Sequence, residues 1–337
     1  MLIIKTIIAI FTAIAAFFGS YTAEGTAAPY DEVNGGDPFI AEYEGDYYYT
    51  FTTGGGIDIF KTDSLDKINV TDRKTVFRCG ENGTASSIWA PEIHKIGDRW
   101  YIVACAVFDR NAVEKGLMPD AKEFNDHDDY YRYGFVLESD SEDIFGTYTF
   151  KGILAPGGLN NIDGTYLQKD GKLYYVFSGY NNVANQSLYI AEMENPYTFR
   201  KDENRVVKVT ELSSPILPWE RRGWWVNEAP AVLYNGDDVY ILYSASGYSS
   251  GSYCMGMLTL RGNDVMKCFS WEKSMLPVVT HQPKRGLYNL GHCSFLYDDG
   301  DVYMIYHANQ TKNFFDSPRL TYVEKVEFEN GRPIFRF

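Results

Sequence analysis

The hydrophobic positions of the chain recur in one short pattern. A glycine and a polar neighbour are followed by aromatic and β-branched residues at five places, GDYYYTF from 45, GDRWYIV from 97, GKLYYVF from 171, GDDVYIL from 236 and GDVYMIY from 300. Glycine beside a polar residue favours a hairpin turn, and aromatic and β-branched residues favour strands. Because an apolar-rich strand also precedes each turn, each copy predicts two antiparallel strands joined by a tight turn.

A further strand is predicted after each copy, as in IDIFKTDSL from residue 57 and CMGMLTL from residue 254. Each unit is therefore a β-meander, and successive units begin 52, 74, 65 and 64 residues apart. Repeated meanders without intervening helices are typical of propeller blades around a central axis. We predict an all-β fold, a five-bladed β-propeller that fills residues 30–337. A stack of β-sandwiches is the alternative, although it does not explain one pattern at nearly constant spacing.

Composition agrees with this fold class and narrows the expected partners. The 337 residues are 45% hydrophobic, 23% charged and 16% aromatic with 30 glycines, as expected of a soluble protein rich in strands and tight turns. The net charge of −14 repels phosphate backbones and anionic lipid surfaces. We therefore expect neither a nucleic-acid partner nor membrane binding by the mature chain.

The amino terminus is the exception to this soluble character. Residues 6–18 are an uncharged apolar run behind Lys5, shorter than the roughly 20 residues that a spanning helix needs. Small residues that a signal peptidase could accept follow it, at Gly19, Ser20, Ala23, Ala27 and Ala28. We expect a signal peptide in residues 1–28, cleaved between about 23 and 28, and a secreted single catalytic domain in 29–337. An uncleaved anchor is the alternative.

Cysteines and glycosylation sequons change this picture little. Five cysteines are too sparse and too irregular for a disulfide scaffold or a zinc site, but one or two bridges stay open, with Cys254 and Cys268 the nearest pair in the C-terminal half. Asn-x-Ser/Thr sequons are consistent with export, and they begin at Asn69, Asn82, Asn185 and Asn309.

The repeat locates a candidate site. Eight residues before each turn glycine lies one equivalent position per blade, near the start of the innermost strand, and these positions hold Asp37, Trp89, Asp163, Glu228 and His292. In a propeller the five side chains are expected to surround one mouth of the central channel. The alternative is ordinary turn chemistry, which explains any single Asp but not five such residues in register.

Three carboxylates and aromatic rings in a polar funnel indicate glycosidic bond hydrolysis. One carboxylic acid protonates the leaving oxygen, and a carboxylate activates water or attacks the sugar. A third carboxylate can raise the pKa of the acid by disfavouring a second negative charge. Tryptophan faces can bind sugar rings, with packing between blades as the alternative, and the candidates are Trp89, Trp219, Trp224 and Trp225.

Residues 34–337 resemble glycoside hydrolase family 43, the five-bladed propeller enzymes that act on arabinan, arabinoxylan and xylo-oligosaccharides. The resemblance rests on NGGDPFI at 34, WAPEI at 89, NIDGTYL at 161, VNEAPAVL at 226, YSASG at 243, GHCSF at 291 and YHAN at 306. It implies that Asp37 is the general base that activates water, Glu228 the general acid, and Asp163 the residue that orients the acid and modulates its pKa. It further implies inversion of the anomeric centre.

The resemblance also bears on metals and on the other site residues. Family members often place a histidine facing the channel centre where His292 stands, near a hydrated calcium or another cation in arabinan-cleaving enzymes. No cofactor is required, and imidazole is a poor calcium ligand, so contact through water or no metal is equally expected. Arg319 is a candidate substrate-binding or acid-positioning residue, with a solvated strand end as the alternative. The remaining histidines have no expected role: His94, His127, His281 and His307.

Substrate specificity is expected to lie in loops. The motifs at 243 and 306 resemble exo-acting α-L-arabinofuranosidases, and the implied substrate is a plant cell-wall polysaccharide or oligosaccharide such as arabinan or arabinoxylan. A β-xylosidase, an endo-arabinanase and a non-catalytic carbohydrate-binding propeller are the alternatives, with a protein-interaction propeller further from the pattern. The inserts at 108–131 and 217–225 are expected to shape the pocket. One departure is Ala229, where the family usually has glycine after its acid.

Overall fold

A computed structural model of the protein describes residues 27–31, 35–108, 131–182 and 185–336. The predicted signal peptide lies almost entirely outside these residues, and so does most of the insert at 108–131. The described strands form five antiparallel meanders, which we call blades one to five. Blade one consists of β1 (Phe39–Tyr43), β2 (Asp46–Thr50), β3 (Gly56–Thr62) and β4 (Val70–Arg78). Blade two consists of β5 (Thr84–Ile96), β6 (Arg99–Phe108), β7 (Tyr131–Ser139) and β8 (Tyr148–Leu154).

The remaining blades repeat this arrangement. Blade three contains β9 (Asn161–Lys169), β10 (Lys172–Asn182) and β11 (Asn185–Asn195), with the short strands β12 (Thr198–Phe199) and β13 (Val209–Ser213) beside β11. Blade four contains β14 (Trp225–Asn235), β15 (Asp238–Ala245), β16 (Cys254–Leu260) and β17 (Trp271–Lys273). Blade five contains β18 (Tyr288–Asp298), β19 (Asp301–Asn309) and β20 (Leu320–Lys325), and a hairpin of β21 (Glu327–Glu329) and β22 (Arg332–Ile334) follows it.

The predicted turns explain why each meander folds back on itself. All five repeat glycines have a positive φ, from 57° at Gly236 to 83° at Gly45 and Gly300. This left-handed conformation suits a glycine, which has no Cβ, and it gives a hairpin the twist of its strands. The strand pairs on either side of the turns are antiparallel, as in Tyr43 opposite Asp46. The turn-and-strand pattern read from the sequence is therefore confirmed.

The five meanders are arranged in a closed ring. Their first strands contact one another in a cycle, in the order β1, β5, β9, β14, β18 and back to β1. Within the described ranges a separate hydrophobic cluster fills the space between each pair of neighbouring blades, including blades five and one. Each cluster contains at least three buried aromatic side chains, whose large flat rings fill the gap between twisted sheets and bury much apolar area. The predicted all-β propeller is thus confirmed.

The segment before blade one completes the ring. The Tyr30 N–H donates to the Thr321 carbonyl over 2.7 Å, and Asp31 forms a β-bridge with the same residue of β20. The Tyr30 carbonyl accepts from Ile68, and its hydroxyl donates to the carbonyl of Ser64, so the segment joins blade five to blade one. All five cysteines are free thiols, and a Cys254–Cys268 bridge is not formed. No helix in the described part of the chain has the length and apolar character needed to cross a membrane.

Candidate active site

The innermost strand of each blade has an irregular backbone where the repeat placed the candidate residues. A positive φ occurs there in every blade, at Asp37, Ala90, Asp163, Ala229 and His292. In blades two to five the register of the first two strands also shifts at this point, which marks a bulge. Left-handed backbone costs a non-glycine residue about 1–2 kcal/mol, and such strain is concentrated at functional sites.

These irregularities surround one pocket of about 1010 Å³. All but one of the sequence-predicted site residues line it: Asp37, Trp89, Asp163, Trp224, Trp225, Glu228, His292 and Arg319. Trp219 does not line the pocket; its ring stacks on Tyr243, and its indole N–H donates to the Met275 carbonyl, so its expected place beside the mouth is wrong. The pocket also has lining residues without a sequence-predicted role, among them Arg132, Tyr180, Gln186, Tyr248 and Tyr253.

Asp37 is surrounded by donors and positive charge. Its Oδ2 accepts a 2.7 Å hydrogen bond from the Thr52 hydroxyl, and its Oδ1 lies 3.2 Å from Arg319 Nη1 and 3.1 Å from His292 Nδ1. Burial opposes ionisation of this carboxyl, but the charges of Arg319 and His292 outweigh burial and hold its pKa well below the usual value. Asp37 is therefore an anion at any pH near neutrality.

Gly36 makes room for this arrangement. A Cβ on Gly36 would come within 2.3 Å of the Arg319 guanidinium carbon, so any side chain there would displace the arginine. The second glycine of the NGGDPFI motif is thus explained by the close approach of Arg319 to Asp37. Arg319 contacts the carboxylate expected to be the base rather than the one expected to be the acid, and it is not a solvated strand-end residue.

His307 belongs to the site, although it has no sequence-predicted role. Its Nδ1 accepts the backbone N–H of Asp37 over 3.1 Å, and its ring is stacked parallel to Tyr253 at 5.8 Å. Burial and the nearby charge of Arg319 hold the pKa of His307 well below its usual value, so the ring is neutral. His307 lies in β19, the second strand of its blade, and a search restricted to strand starts does not find it.

Glu228 has the opposite environment from Asp37. Its Oε1 accepts a 2.8 Å hydrogen bond from the Tyr253 hydroxyl, and its Oε2 accepts one of 3.1 Å from the Gln186 amide. Burial and the neighbouring charge of Asp163 raise the pKa of Glu228 to about 8. Glu228 therefore keeps its proton near neutral pH. Tyr253 reaches it because residue 291 is glycine; a Cβ at that position would overlap the tyrosine ring.

The pKa of Asp163 lies between those of Asp37 and Glu228. Its Oδ2 accepts the backbone N–H of Ala229 over 3.2 Å, so the strained residue after Glu228 is tied to the third carboxylate. Burial raises the pKa of Asp163 to about 6, with the positive charge of His292 acting in the opposite direction. Asp163 is thus ionised near neutral pH, when Glu228 is not.

His292 carries the positive charge of this cluster. Burial disfavours its imidazolium form, but the carboxylates of Asp37 and Asp163 outweigh burial and raise the pKa of His292 to about 9. The Nδ1 atom of His292 already contacts Asp37 Oδ1 at 3.1 Å, and imidazole is a poor calcium ligand, so these residues do not favour direct ligation of calcium by His292. In the described ranges no group of three or more His, Cys, Asp or Glu side chains could hold a metal ion.

The fold and the pocket together define a class of protein. The propeller pocket contains one ionised carboxylate, one protonated carboxylic acid and a third carboxyl group of intermediate pKa. Hydrolysis of a glycosidic bond needs such an acid and such a base, so the pocket is typical of a glycoside hydrolase. The model of Glycosyl hydrolases family 43 matches residues 28–333. The chain therefore belongs to glycosyl hydrolases family 43, as the sequence motifs indicated.

Individual relatives agree with this assignment. The chain is 31% identical over 317 residues to the extracellular exo-alpha-(1->5)-L-arabinofuranosidase of Streptomyces avermitilis, covering 89% of this chain and 61% of the relative. It is 30% identical over 322 residues to the enzyme of the same name from Streptomyces chartreusis, covering 91% and 90% of the two chains. It therefore spans only about three fifths of the first relative's length. The crystal structure of alpha-L-arabinofuranosidase from Lactobacillus brevis superimposes with a TM-score of 0.75 at 29% identity, covering 90% of this chain and 94% of that one.

Proposed function

We propose that the protein is a secreted, inverting, exo-acting α-L-arabinofuranosidase that releases arabinose from arabinan, arabinoxylan or their oligosaccharides. The observation that carries this proposal is the contrast between two carboxyl groups that line one pocket: Asp37 contacts Arg319 and His292, whereas Glu228 is buried beside the neutral donors Tyr253 and Gln186. The substrate is inferred from the activities for which the relatives are named. Secretion is inferred from the extracellular relatives and from the apolar run at residues 6–18, which we propose to be a signal peptide.

The proposed reaction is a single displacement. Water attacks the anomeric carbon, Asp37 accepts the proton that the water loses, and the new carbon–oxygen bond forms on the face opposite the leaving group. Glu228 donates its proton to the glycosidic oxygen as the old bond breaks, so the leaving sugar departs as an alcohol. Solvent then returns Asp37 to its anion and Glu228 to its acid. Arg319 and His307 hold Asp37 in place, and Asp163 keeps Glu228 protonated.

A comparison of leaving groups tests these two roles separately. Glu228→Gln should lower the turnover of arabino-oligosaccharides by about a thousandfold or more, but it should affect a dinitrophenyl arabinofuranoside far less, because that leaving group needs no proton. Asp37→Asn should lower both rates by a similar factor, since both reactions need activated water. The measurement is kcat on each substrate, with the anomeric configuration of the first product followed by proton NMR.

Glu138→Gln is the matched control. Glu138 is half-buried and accepts a 2.8 Å hydrogen bond from the Tyr101 hydroxyl, as Glu228 does from Tyr253, but it lies in β7 outside the pocket. Its variant should retain wild-type turnover. Equal losses on both substrates for Glu228→Gln would contradict its role as the acid. Release of xylose from an aryl β-D-xyloside, or internal cleavage of linear arabinan, would keep glycoside hydrolysis and overturn the proposed specificity.

A further inference from the structure

Aromatic side chains continue from the pocket onto the surface of the protein. Trp224 and Tyr248 line the pocket, and their ring centroids are 6.3 Å apart. Tyr248 meets Phe314 edge-on at 5.2 Å, and Phe314 meets Phe315 edge-on at 5.4 Å. We call these four residues the aromatic ridge. It connects the loop before β14 with the loop between β19 and β20, and it ends at Phe315, which is 82% exposed.

The two ends of the ridge are held in place. Trp224 packs so closely over Gly247 that a Cβ there would lie 2.7 Å from its ring. In the other loop, the Asn309 amide donates to the carbonyls of Ser317 and Pro318 over 2.8 and 3.1 Å, and the Asn313 side chain accepts the backbone N–H of Phe315. The loop backbone that carries Phe315 is therefore held in place before any ligand arrives, which lowers the entropy that binding has to overcome.

The ridge is continuous with the pocket, and this continuity indicates which kind of ligand binds to it. Adjacent exposed aromatic rings are unfavourable in water and are a mark of a binding surface. Sugar rings offer apolar C–H faces to such side chains and hydroxyl groups to the surrounding water and polar rim. A polyanion is disfavoured by the net charge of −14. A neutral saccharide chain that leaves the pocket would pass along Trp224 and Tyr248 before it reached Phe315.

We propose that the aromatic ridge binds the part of an arabino-oligosaccharide on the leaving-group side of the cleaved bond. This inference rests on the proposed function, because an exo-acting enzyme encloses the terminal sugar and leaves the rest of the chain outside. The ridge makes the enzyme prefer longer substrates. The contribution of its outer members, Phe314 and Phe315, is greatest for substrates long enough to reach them and absent for an aryl arabinofuranoside, which ends within the pocket.

Two phenylalanines of equal exposure allow a matched test. Phe315→Ala is compared with Phe269→Ala, because both side chains are 82% exposed and Phe269 lies outside the pocket and the ridge. KM and kcat are measured on an aryl α-L-arabinofuranoside, α-1,5-arabinobiose and α-1,5-arabinotetraose. We expect Phe315→Ala to raise KM for the tetraose by about fivefold, or about 1 kcal/mol, which is less than the loss of a buried hot-spot residue because Phe315 lies at the exposed end of the ridge. Its kinetics on the aryl substrate, and all kinetics of Phe269→Ala, should remain those of the wild type.

The outcomes separate this inference from the function on which it rests. If the wild type hydrolyses none of the three substrates, the arabinofuranosidase proposal is overturned and the ridge proposal with it. If the aryl substrate is hydrolysed but the two phenylalanine variants have equal KM values for the tetraose, the ridge proposal alone is overturned. Sedimentation velocity completes the test: a change in oligomeric state that is specific to Phe315→Ala would identify the ridge as a contact between copies of the chain instead.

Discussion

At the scale of single residues, the three carboxyl groups of the pocket differ because their neighbours differ. Asp37 lies beside a guanidinium and an imidazolium, which stabilise its anion. Glu228 accepts hydrogen bonds from two neutral donors, Tyr253 and Gln186, and lies near the charge of Asp163, so its proton is retained. One pocket thus keeps a base and an acid ready at the same pH, which a pair of carboxyl groups with equal surroundings could not do.

The first consequence is a directed shift of the pH profile. Because ionised Asp163 raises the pKa of Glu228, Asp163→Asn should lower that pKa and move the alkaline decline of kcat/KM toward lower pH, by about one pH unit. Tyr253→Phe should move it the other way, since the tyrosine hydrogen bond favours the anion of Glu228. The measurement is kcat/KM from pH 4 to about 10. Shifts of the same sign in the two variants would contradict this account.

The sequence predicted part of the site and missed the rest for a geometric reason. Asp37, Asp163, Glu228 and His292 occupy one repeat position, so a single spacing finds them. Tyr253 lies directly before β16 and His307 lies in β19, and their contacts with Glu228 and Asp37 depend on which distant segments of the chain meet in the fold. Periodicity along one chain carries no information on such meetings. Trp219 shows the converse, because its neighbours in sequence line the pocket while its own ring packs within blade four.

At the scale of elements, a buried ion pair anchors the loop that carries the pocket tryptophans. Glu220 is 0% exposed, lies 2.6 Å from Lys273 Nζ, and accepts hydrogen bonds from the Asn227 amide and the Tyr243 hydroxyl, each over 2.9 Å. Asn227 directly precedes Glu228 in β14. The network therefore fixes both the loop at 217–225 and the start of the strand that carries the proposed acid.

Breaking this pair should destabilise the protein strongly. Lys273→Met leaves the buried carboxylate of Glu220 without its cation, which should lower the free energy of unfolding by about 3 kcal/mol. Lys267→Met is the control, because Lys267 pairs with Asp264 at the surface and such a pair contributes about 1 kcal/mol or less. Guanidinium-induced unfolding followed by tryptophan fluorescence measures both. Equal losses in the two variants would show that the Glu220 network does not anchor the loop.

Strands and turns were more predictable than the details that shape the pocket. The predicted strand from residue 254 coincides with β16 (Cys254–Leu260), since its apolar run is bounded by turns. The outer strand β4 (Val70–Arg78) was not singled out, because its exposed polar residues resemble a loop. The bulges were not predicted either. A residue such as Ala229, with a φ of 51°, looks like any small residue in the sequence.

At the scale of the whole molecule, the ring depends on a segment outside the five meanders. Tyr30 is 1% exposed, and its ring packs edge-on against Tyr49 of blade one, while its backbone pairs with blade five. The proposed signal cleavage between about 23 and 28 would leave this residue in the mature chain. In a linear repeat array the end units have one neighbour, but in a closed ring every blade has two. Loss of contact between two neighbouring blades should therefore destabilise the whole propeller.

Tyr30 should therefore contribute more to the stability of the protein than its position near the terminus suggests. Tyr30→Ala should lower the free energy of unfolding by about 3–5 kcal/mol, as for other buried aromatic residues. Tyr30→Phe keeps the ring and loses only the hydrogen bond to Ser64, worth about 1 kcal/mol. Guanidinium unfolding followed by circular dichroism and by fluorescence should show one coincident transition in each variant. A loss in Tyr30→Ala no larger than that in Tyr30→Phe would mean that the segment does not hold the ring together.

The paired charges in the pocket determine how the enzyme responds to the salt concentration of its surroundings. Near pH 7 the anions of Asp37 and Asp163 are matched by the cations of His292 and Arg319, while Glu228 is uncharged. The exposed charge of Arg132 at the rim is screened by solvent. This cluster is therefore balanced within a strongly acidic chain. An uncharged sugar can enter and leave without displacing counterions, so ionic strength should have little influence on its capture, in fresh water or in brine.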